Sequence, residues 1–378
     1  MKANLRQAAG SLMVVGLGGT ELTGLERAWL RLVRPGGVIL FRRNIVDARQ
    51  TRALLDDATG LCAPKSFRCV DVEGGTVDRL RDALAALPSA QAVARASLRR
   101  SEDRDPGHPA GTLGLAREHG DLVARGVKAF GFNTTLAPVL DLALPASAEV
   151  MGTRAAAETA AGVVEYARGF LAGLAAQGVV GCGKHFPGLG AGTRDSHRET
   201  PQIRREWHQM WTEDLAPYRE LRQELPMMMV NHAAYPDTPG KDRPASVSAF
   251  WIGTVLRKRI GYRGMVFSDD LEMGGILKFM PIEEAAVAAI RAGMDMVEIC
   301  HSPELILRAY EALIAEGERS GAFRRHIQWR SNHTERARAR LFARSVPAAL
   351  TAQQFEALRT EILRFGETVG SAPEAIPA

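Results

Sequence analysis

The chain is predicted to be an α/β protein: a (β/α)8 TIM barrel carrying the catalytic site, followed by a helical C-terminal tail. Three observations predict this fold. Short apolar, β-branched runs alternate with helical patterns, which implies a parallel sheet. The runs number eight, the count that closes a barrel, and the length accommodates such a barrel with insertions, since the usual size is roughly 250 residues. Nearly every run ends in polar or charged residues at its C-terminal end. A doubly wound open sheet is the alternative arrangement of the same elements.

In order, the candidate strands are "LMVVGLG" (12–18), "GGVILF" (36–41), "FRCVDVEG" (67–74), "NTTLAPVLD" (133–141), "VVGCGKHF" (179–186), "MMMVNHAAY" (227–235), "GMVFSDD" (264–270) and "MDMVEIC" (294–300). Between the fifth strand and its predecessor, Val163, Tyr166, Phe170 and Leu174 recur at helical spacing, a core-facing stripe. Trp207, Trp211, Leu215 and Tyr218 line one side of a helical pattern over 205–225. The long interval 75–132 reads as an insertion. The barrel is expected to occupy residues 1–345 and the tail 346–378, a peripheral helix with a frayed end.

Composition excludes several classes. Of 378 residues, 46% are hydrophobic and 24% charged, the balance of an ordinary globular chain. The four cysteines, Cys62, Cys69, Cys182 and Cys300, form no C-x-x-C pair, so neither a disulfide framework nor a zinc knuckle is indicated. The apolar run near the N-terminus is brief, glycine-broken and followed by no cleavage site, so it reads as a first strand and the expected location is the cytoplasm. No run is long enough to cross a bilayer. The net charge of +5 is concentrated in the arginine-crowded segment 319–344. Without a nucleic-acid motif beside it, that segment reads as a solvated helix face.

In a barrel the strand ends converge on one face, where active sites are built. Here they bring Asp71 and Glu73, Asp141, Lys184 and His185, Asn231 and His232, and Asp269 and Asp270. Unpaired charge is costly in a core, so this rim reads as a polar pocket for a small molecule. Glu73 and Asp270 also fit a structural role, Asp270 as the cap of the following helix. Asp269, leaving its strand first, could attack a carbon centre.

The segment "GKHFPGLGAGTRDSHRETP" (183–201) adds Asp195 and His197, two apart, on a glycine-rich loop. In an extended segment such residues share a side, and a carboxylate beside an imidazole fixes its tautomer and raises its basicity. That suits proton transfer. A metal site from His185, His197 and an Asp competes, but there is no H-x-H or H-E-x-x-H spacing and Lys184 would repel a cation. Ser196 as a nucleophile lacks a G-x-S-x-G turn. No metal and no cofactor is called for.

Together, "DVEGG" (71–75), "APVLD" (137–141), "KHFPGLG…DSHRETP" (184–201) and "GMVFSDDLEM" (264–273) resemble glycoside hydrolase family 3, and within it the β-N-acetylglucosaminidase (β-N-acetylhexosaminidase) branch. The resemblance implies that Asp269 is the nucleophile of a retaining double displacement. It makes His197 the acid/base, oriented by Asp195, and it makes Asp71, Arg79, Arg154, Lys184 and His185 the binders of sugar hydroxyls. It further implies exo-acting hydrolysis of terminal N-acetylglucosamine from small soluble glycans, such as muropeptides in peptidoglycan recycling; the sequence does not fix the oligomeric state, a monomer being favoured. A loop-borne acid/base would let the site close on the sugar and then release it. Because an imidazole does not repel an anionic acceptor, phosphorolysis at the same site is the first alternative. A non-catalytic sugar-binding or nucleic-acid-binding barrel is the second. Two positions depart from the family string, Leu189 where it has His and Thr76 where it has Arg.

Overall fold

The computed structural model describes residues 4–102, 113–192, 200–343, 349–371 and 374. Eight parallel strands close into a barrel in chain order: β1 (Met13–Gly16), β2 (Gly37–Leu40), β3 (Phe67–Val70), β4 (Thr134–Thr135), β5 (Val180–Phe186), β6 (Met227–Val230), β7 (Met265–Asp270) and β8 (Met296–Ile299). β8 returns to pair with β1, with Val14 opposite Glu298. All eight strands fall within the runs expected from sequence. β4 is short, and beyond it the pairing with β5 resumes with a shift of one residue: Thr135 lies opposite Gly181, whereas Val139 bridges Lys184.

Helices wrap the outside. The stripe Val163, Tyr166, Phe170 and Leu174 is buried along the helix Ala160–Ala176. The expected helix over 205–225 is broken into short pieces, Trp207–Gln209, Met210–Asp214 and Ala216–Glu220. Pro217 supplies no N–H to continue the ladder, and Leu215 N instead reaches back to Met210 O at 2.8 Å. The interval after β3 contains a two-stranded hairpin (Val72–Gly74 with Val77–Asp78) and two helices, Ala90–Glu102 and Leu113–Ala129. A helix the sequence pattern did not suggest, Leu5–Gly10, precedes β1.

The barrel interior is apolar over most of its height, filled by Val14, Ile39, Phe67, Cys69, Leu136, Val180, Cys182, Met227, Met229, Met265, Phe267 and Met296. Its N-terminal end is sealed by the helix Gly321–Leu341. Phe342, just past that helix, packs edge-on against Phe67 with centroids 5.0 Å apart, and Phe67 packs edge-on against Phe267 at 5.0 Å. The seal is fastened by polar contacts. Buried Arg338 donates from Nη1 to Ser11 O at 3.1 Å, and the Ser11 and Ser331 hydroxyls meet at 2.8 Å. The arginine-rich segment is therefore divided: Arg338 is a buried fastener, while Arg324, Arg325, Arg336 and Arg340 face solvent. The helix Ala352–Val369 buries Leu358, Ile362, Phe365 and Val369, and stacks Phe365 on His119 with centroids 5.9 Å apart. Among the described residues, no helix is long and apolar enough to cross a membrane.

Candidate active site

The polar residues collect at the C-terminal mouth, and a buried ion network organises them. After β3 the chain turns through Gly74 and Gly75, both at positive φ (91° and 62°). A Cβ on Gly74 would lie 2.1 Å from Pro88 O, so only glycine fits the approach. This turn holds Glu73 almost fully buried beneath the mouth. Arg154, on the turn after β4, clamps Glu73 with two bonds, Nε to Oε2 and Nη2 to Oε1, each 2.8 Å. Lys184 Nζ, from β5, lies 2.6 Å from Glu73 Oε1 and 2.7 Å from Asp71 Oδ1. Burial works to raise the Glu73 carboxyl, but Arg154 and Lys184 outweigh it and hold it well below the usual carboxylate range. The two carboxylates in turn overcome the burial of Lys184 and raise its ammonium to about 12. The network is two cations against two anions, each hydrogen-bonded, the condition under which buried charge is tolerated.

His185 follows Lys184 across a cis peptide. Its Nδ1 lies 2.6 Å from Asp141 Oδ2. A carboxylate only accepts, so Nδ1 carries the proton and Nε2 faces Arg154 Nη2 at 3.4 Å. Asp141 also accepts from Leu189 N at 2.7 Å, tying β4's exit to the start of the loop after β5. Asn231 holds the same backbone, donating from Nδ2 to His185 O at 2.9 Å. His232 is buried with Nε2 2.9 Å from Asp270 O and Nδ1 2.8 Å from the Ser246 hydroxyl. The carbonyl can only accept, so Nε2 donates and Nδ1 accepts. Burial holds this imidazole below its usual range.

Asp269 ends β7 beside these groups. It is partly exposed, and its Oδ1 accepts from Asp270 N at 2.9 Å. Burial pushes its carboxyl up. His232 and His185, the Asp270 amide and Lys184 together prevail and lower it. The result is an ionised carboxylate open to the mouth, the state a nucleophile requires. Arg79 stands at the rim, its guanidinium 6.0 Å from the Phe41 ring centroid and its Nε without a partner among the described residues.

Asp270 does not cap the next helix, as the sequence suggested. That helix, Gly274–Leu277, has Met273 at its N-cap. Asp270 Oδ1 accepts instead from Glu272 N at 3.0 Å and Cys300 N at 3.2 Å, fastening β7's exit to β8. Ligand atoms of Asp270, Glu272 and His301 lie within 4.8 Å of one another. The carboxylates among them are spent on backbone amides, Glu272 on Ser302 N at 2.7 Å and on His301 N. They serve the turn between strands.

The structure thus brings Asp71, Arg154, Lys184, His185 and Asp269 to one mouth, with Arg79 at its rim. Asp195 and His197 lie outside the described residues. Both flanks of their segment are at the mouth. Gly192 N bonds Leu189 O at 2.8 Å on one side, and on the other the Thr200 hydroxyl reaches Gly275 O, just past β7.

The model of the glycosyl hydrolase family 3 N terminal domain matches residues 5–328. The chain belongs to glycosyl hydrolase family 3. Its barrel is that of a glycoside hydrolase. A relative named beta-hexosaminidase from Alkalilimnicola ehrlichii is 41% identical over 295 residues, which is 78% of this chain and 82% of the relative. A beta-hexosaminidase from Bordetella parapertussis is 40% identical over 295 residues, 78% of this chain and 80% of the relative. The solved family 3 beta-N-acetylglucosaminidase from Paenibacillus sp. str. FPU-7 superposes with a TM-score of 0.84 at 28% identity, covering 97% of this chain and 69% of that one. Native NagZ from Neisseria gonorrhoeae superposes with a TM-score of 0.75 at 28% identity, covering 94% and 97%.

Sequence reasoning marked Glu73, Asp141, Asn231 and His232 as strand-end residues but gave them no part in the family 3 site. Glu298, in the middle of β8, went unremarked. The signal was present: a lone Glu interrupts the apolar run "MDMVEIC".

Proposed function

We propose that this family 3 enzyme is a retaining exo-β-N-acetylglucosaminidase (β-N-acetylhexosaminidase). It removes terminal, non-reducing N-acetylglucosamine from small soluble glycans of the muropeptide kind, in a peptidoglycan-recycling role. The observation that carries the reading is the Asp269 carboxylate, kept ionised at the mouth beside Lys184, His185 and His232. The beta-hexosaminidase names of the relatives support the sugar.

In this reading Asp269 attacks the anomeric carbon while the glycosidic C–O bond breaks. The departing oxygen takes its proton from His197, the imidazole being polarised by Asp195. A glycosyl ester of Asp269 results. His197 then removes a proton from water, whose oxygen displaces Asp269, and net configuration is retained. Asp71, Arg79, Arg154, Lys184 and His185 hold the sugar's hydroxyls. The ion network fixes Asp71, Arg154 and Lys184, and Asp141 fixes His185, before substrate arrives, so little reorganisation remains for the transition state.

The test is product analysis with N-acetylglucosaminyl-anhydromuramic acid, with and without phosphate. Free N-acetylglucosamine of retained configuration in both is the expected result. Accumulation of the sugar 1-phosphate would make the enzyme a phosphorylase on the same residues. Asp269→Asn should remove turnover of an aryl N-acetyl-β-glucosaminide, and full activity of that variant would dismiss the assigned nucleophile. His197→Ala should slow substrates with poor leaving groups most, since they need protonation.

A further inference from the structure

Glu298 is a buried carboxyl that the mechanism above does not use. On β8 it alternates with Met296 and Cys300, which pack in the barrel interior, while Val297 and Ile299 belong to the outer core. Its side chain therefore enters the barrel, at the level where β8 pairs with the end of β7 (Glu298 opposite Asp270). Only 2% of the residue is exposed, and Oε1 is fully buried with no hydrogen-bond partner among the described residues. Buried polar atoms are nearly always paired, so an orphan needs a reason. Among the described residues Glu298 caps nothing and joins no ion pair.

We propose that Glu298 forms the floor of the sugar pocket and touches substrate, its carboxyl O–H donating to a sugar hydroxyl on the side held by Asp71 and Lys184. The inference rests on the glycosidase reading of the mouth. Three things support it. By register Glu298 is level with the end of β7 that carries Asp269, close enough for the charges of Asp71, Asp269, Asp270 and Lys184 to act on it. The groups around Glu298 favour its protonated form: burial acts first, then the charges of Asp71, Asp270 and Asp269, with Lys184 opposing, and the carboxyl stays well above the usual range. A protonated carboxyl both donates and accepts, which matches a hydroxyl that both gives and receives a hydrogen bond. A missing partner in the free protein that a ligand would supply also explains why an orphan is tolerated here.

The experiment compares the full-length wild type with Glu298→Gln, Glu298→Leu and Glu298→Met, using 4-nitrophenyl N-acetyl-β-glucosaminide and thermal unfolding. Gln keeps a neutral donor and should retain kcat/KM within about threefold. Leu and Met keep volume but lose the donor, and should lower kcat/KM at least tenfold, about the worth of one hydrogen bond to substrate. Both should also raise Tm by about 2–4 °C, because an unpaired buried acid has been replaced by apolar atoms. Lost activity with gained stability, rescued by Gln, is a signature that a merely structural residue does not give. If Leu and Met are as active as wild type, or if Gln is as damaged as they are, the proposal fails. Should Leu unfold the protein, Met and Gln still decide between these outcomes. An inactive wild type would bring down the glycosidase reading itself, whereas an active wild type with an equally active Leu variant would bring down only the role of Glu298.

Discussion

The two ends of the barrel are built from the same eight strands and follow opposite physics. At the N-terminal end, Phe67, Phe267 and Phe342 interlock edge to face, and the polar fasteners Arg338, Ser11 and Ser331 lie outside the apolar layer. At the mouth, Glu73, Arg154, Lys184 and Asp71 are held together by ion pairs. Burial stabilises the first end by removing apolar surface from water. It penalises the second, where desolvation is only offset by the pairing. The lesson is that stability resides in the seal and preorganised charge in the mouth, so damage to each should be read by a different instrument.

The largest expected effect is at the mouth. Lys184→Met leaves Asp71 and Glu73 facing each other with one cation fewer. Stability should fall by about 3–5 kcal/mol in denaturant unfolding, and kcat/KM by about 10²–10³. An active, stable variant would mean that the network is dispensable. At the seal, Phe342→Ala should lower stability by about 3–5 kcal/mol as well, yet leave kcat and KM within twofold in the folded fraction. Altered KM in that variant would show the two ends to be coupled.

A smaller effect follows from His119, which lies between the ends, beneath the turn that carries Glu73. Burial holds this imidazole down at about 3, below its unfolded value of about 6.5. The native state therefore binds the proton less readily than the unfolded one. Stability is whole above about pH 6.5 and falls progressively as pH drops toward 3. Between pH 7 and pH 5 the loss should be about 2 kcal/mol, and His119→Phe should flatten it in paired denaturation curves. The smallest effect concerns Glu374, which accepts from Thr153 and whose backbone carbonyl takes Arg81 Nη2 at 2.7 Å. Glu374→Ala should cost less than about 1 kcal/mol, with any kinetic change confined to KM.

The two ends also differed in how legible they were. The strands and the polar strand ends could be read from residue pattern, because a parallel barrel strand is a short apolar run and its exit is where polarity begins. Two further features escaped because they depend on what lies across space. A structural role for Glu73 was legible at its strand end, but its partner was not, because only the fold joins it to Arg154, 81 residues away. Phe342 sits in an arginine-rich stretch whose charge masks its packing against Phe67. The broken helix over 205–225 was missed for a local reason: its apolar spacing outweighed the signal of Pro217. The segment with Asp195 and His197 lies outside the described residues, so its part in the chemistry rests on its sequence and on its flanks.

The seal at the barrel's foot has a consequence for how the molecule is made. Phe342 and Arg338 come after residue 328, where the match to the shared domain ends. During synthesis from the N-terminus, all eight strands are released before the residues that stopper them. Until those follow, Phe67 lacks its edge-on partner Phe342 and the barrel's foot lacks its cover. The last turns of the Gly321–Leu341 helix are thus the step that turns a finished ring of strands into a closed vessel.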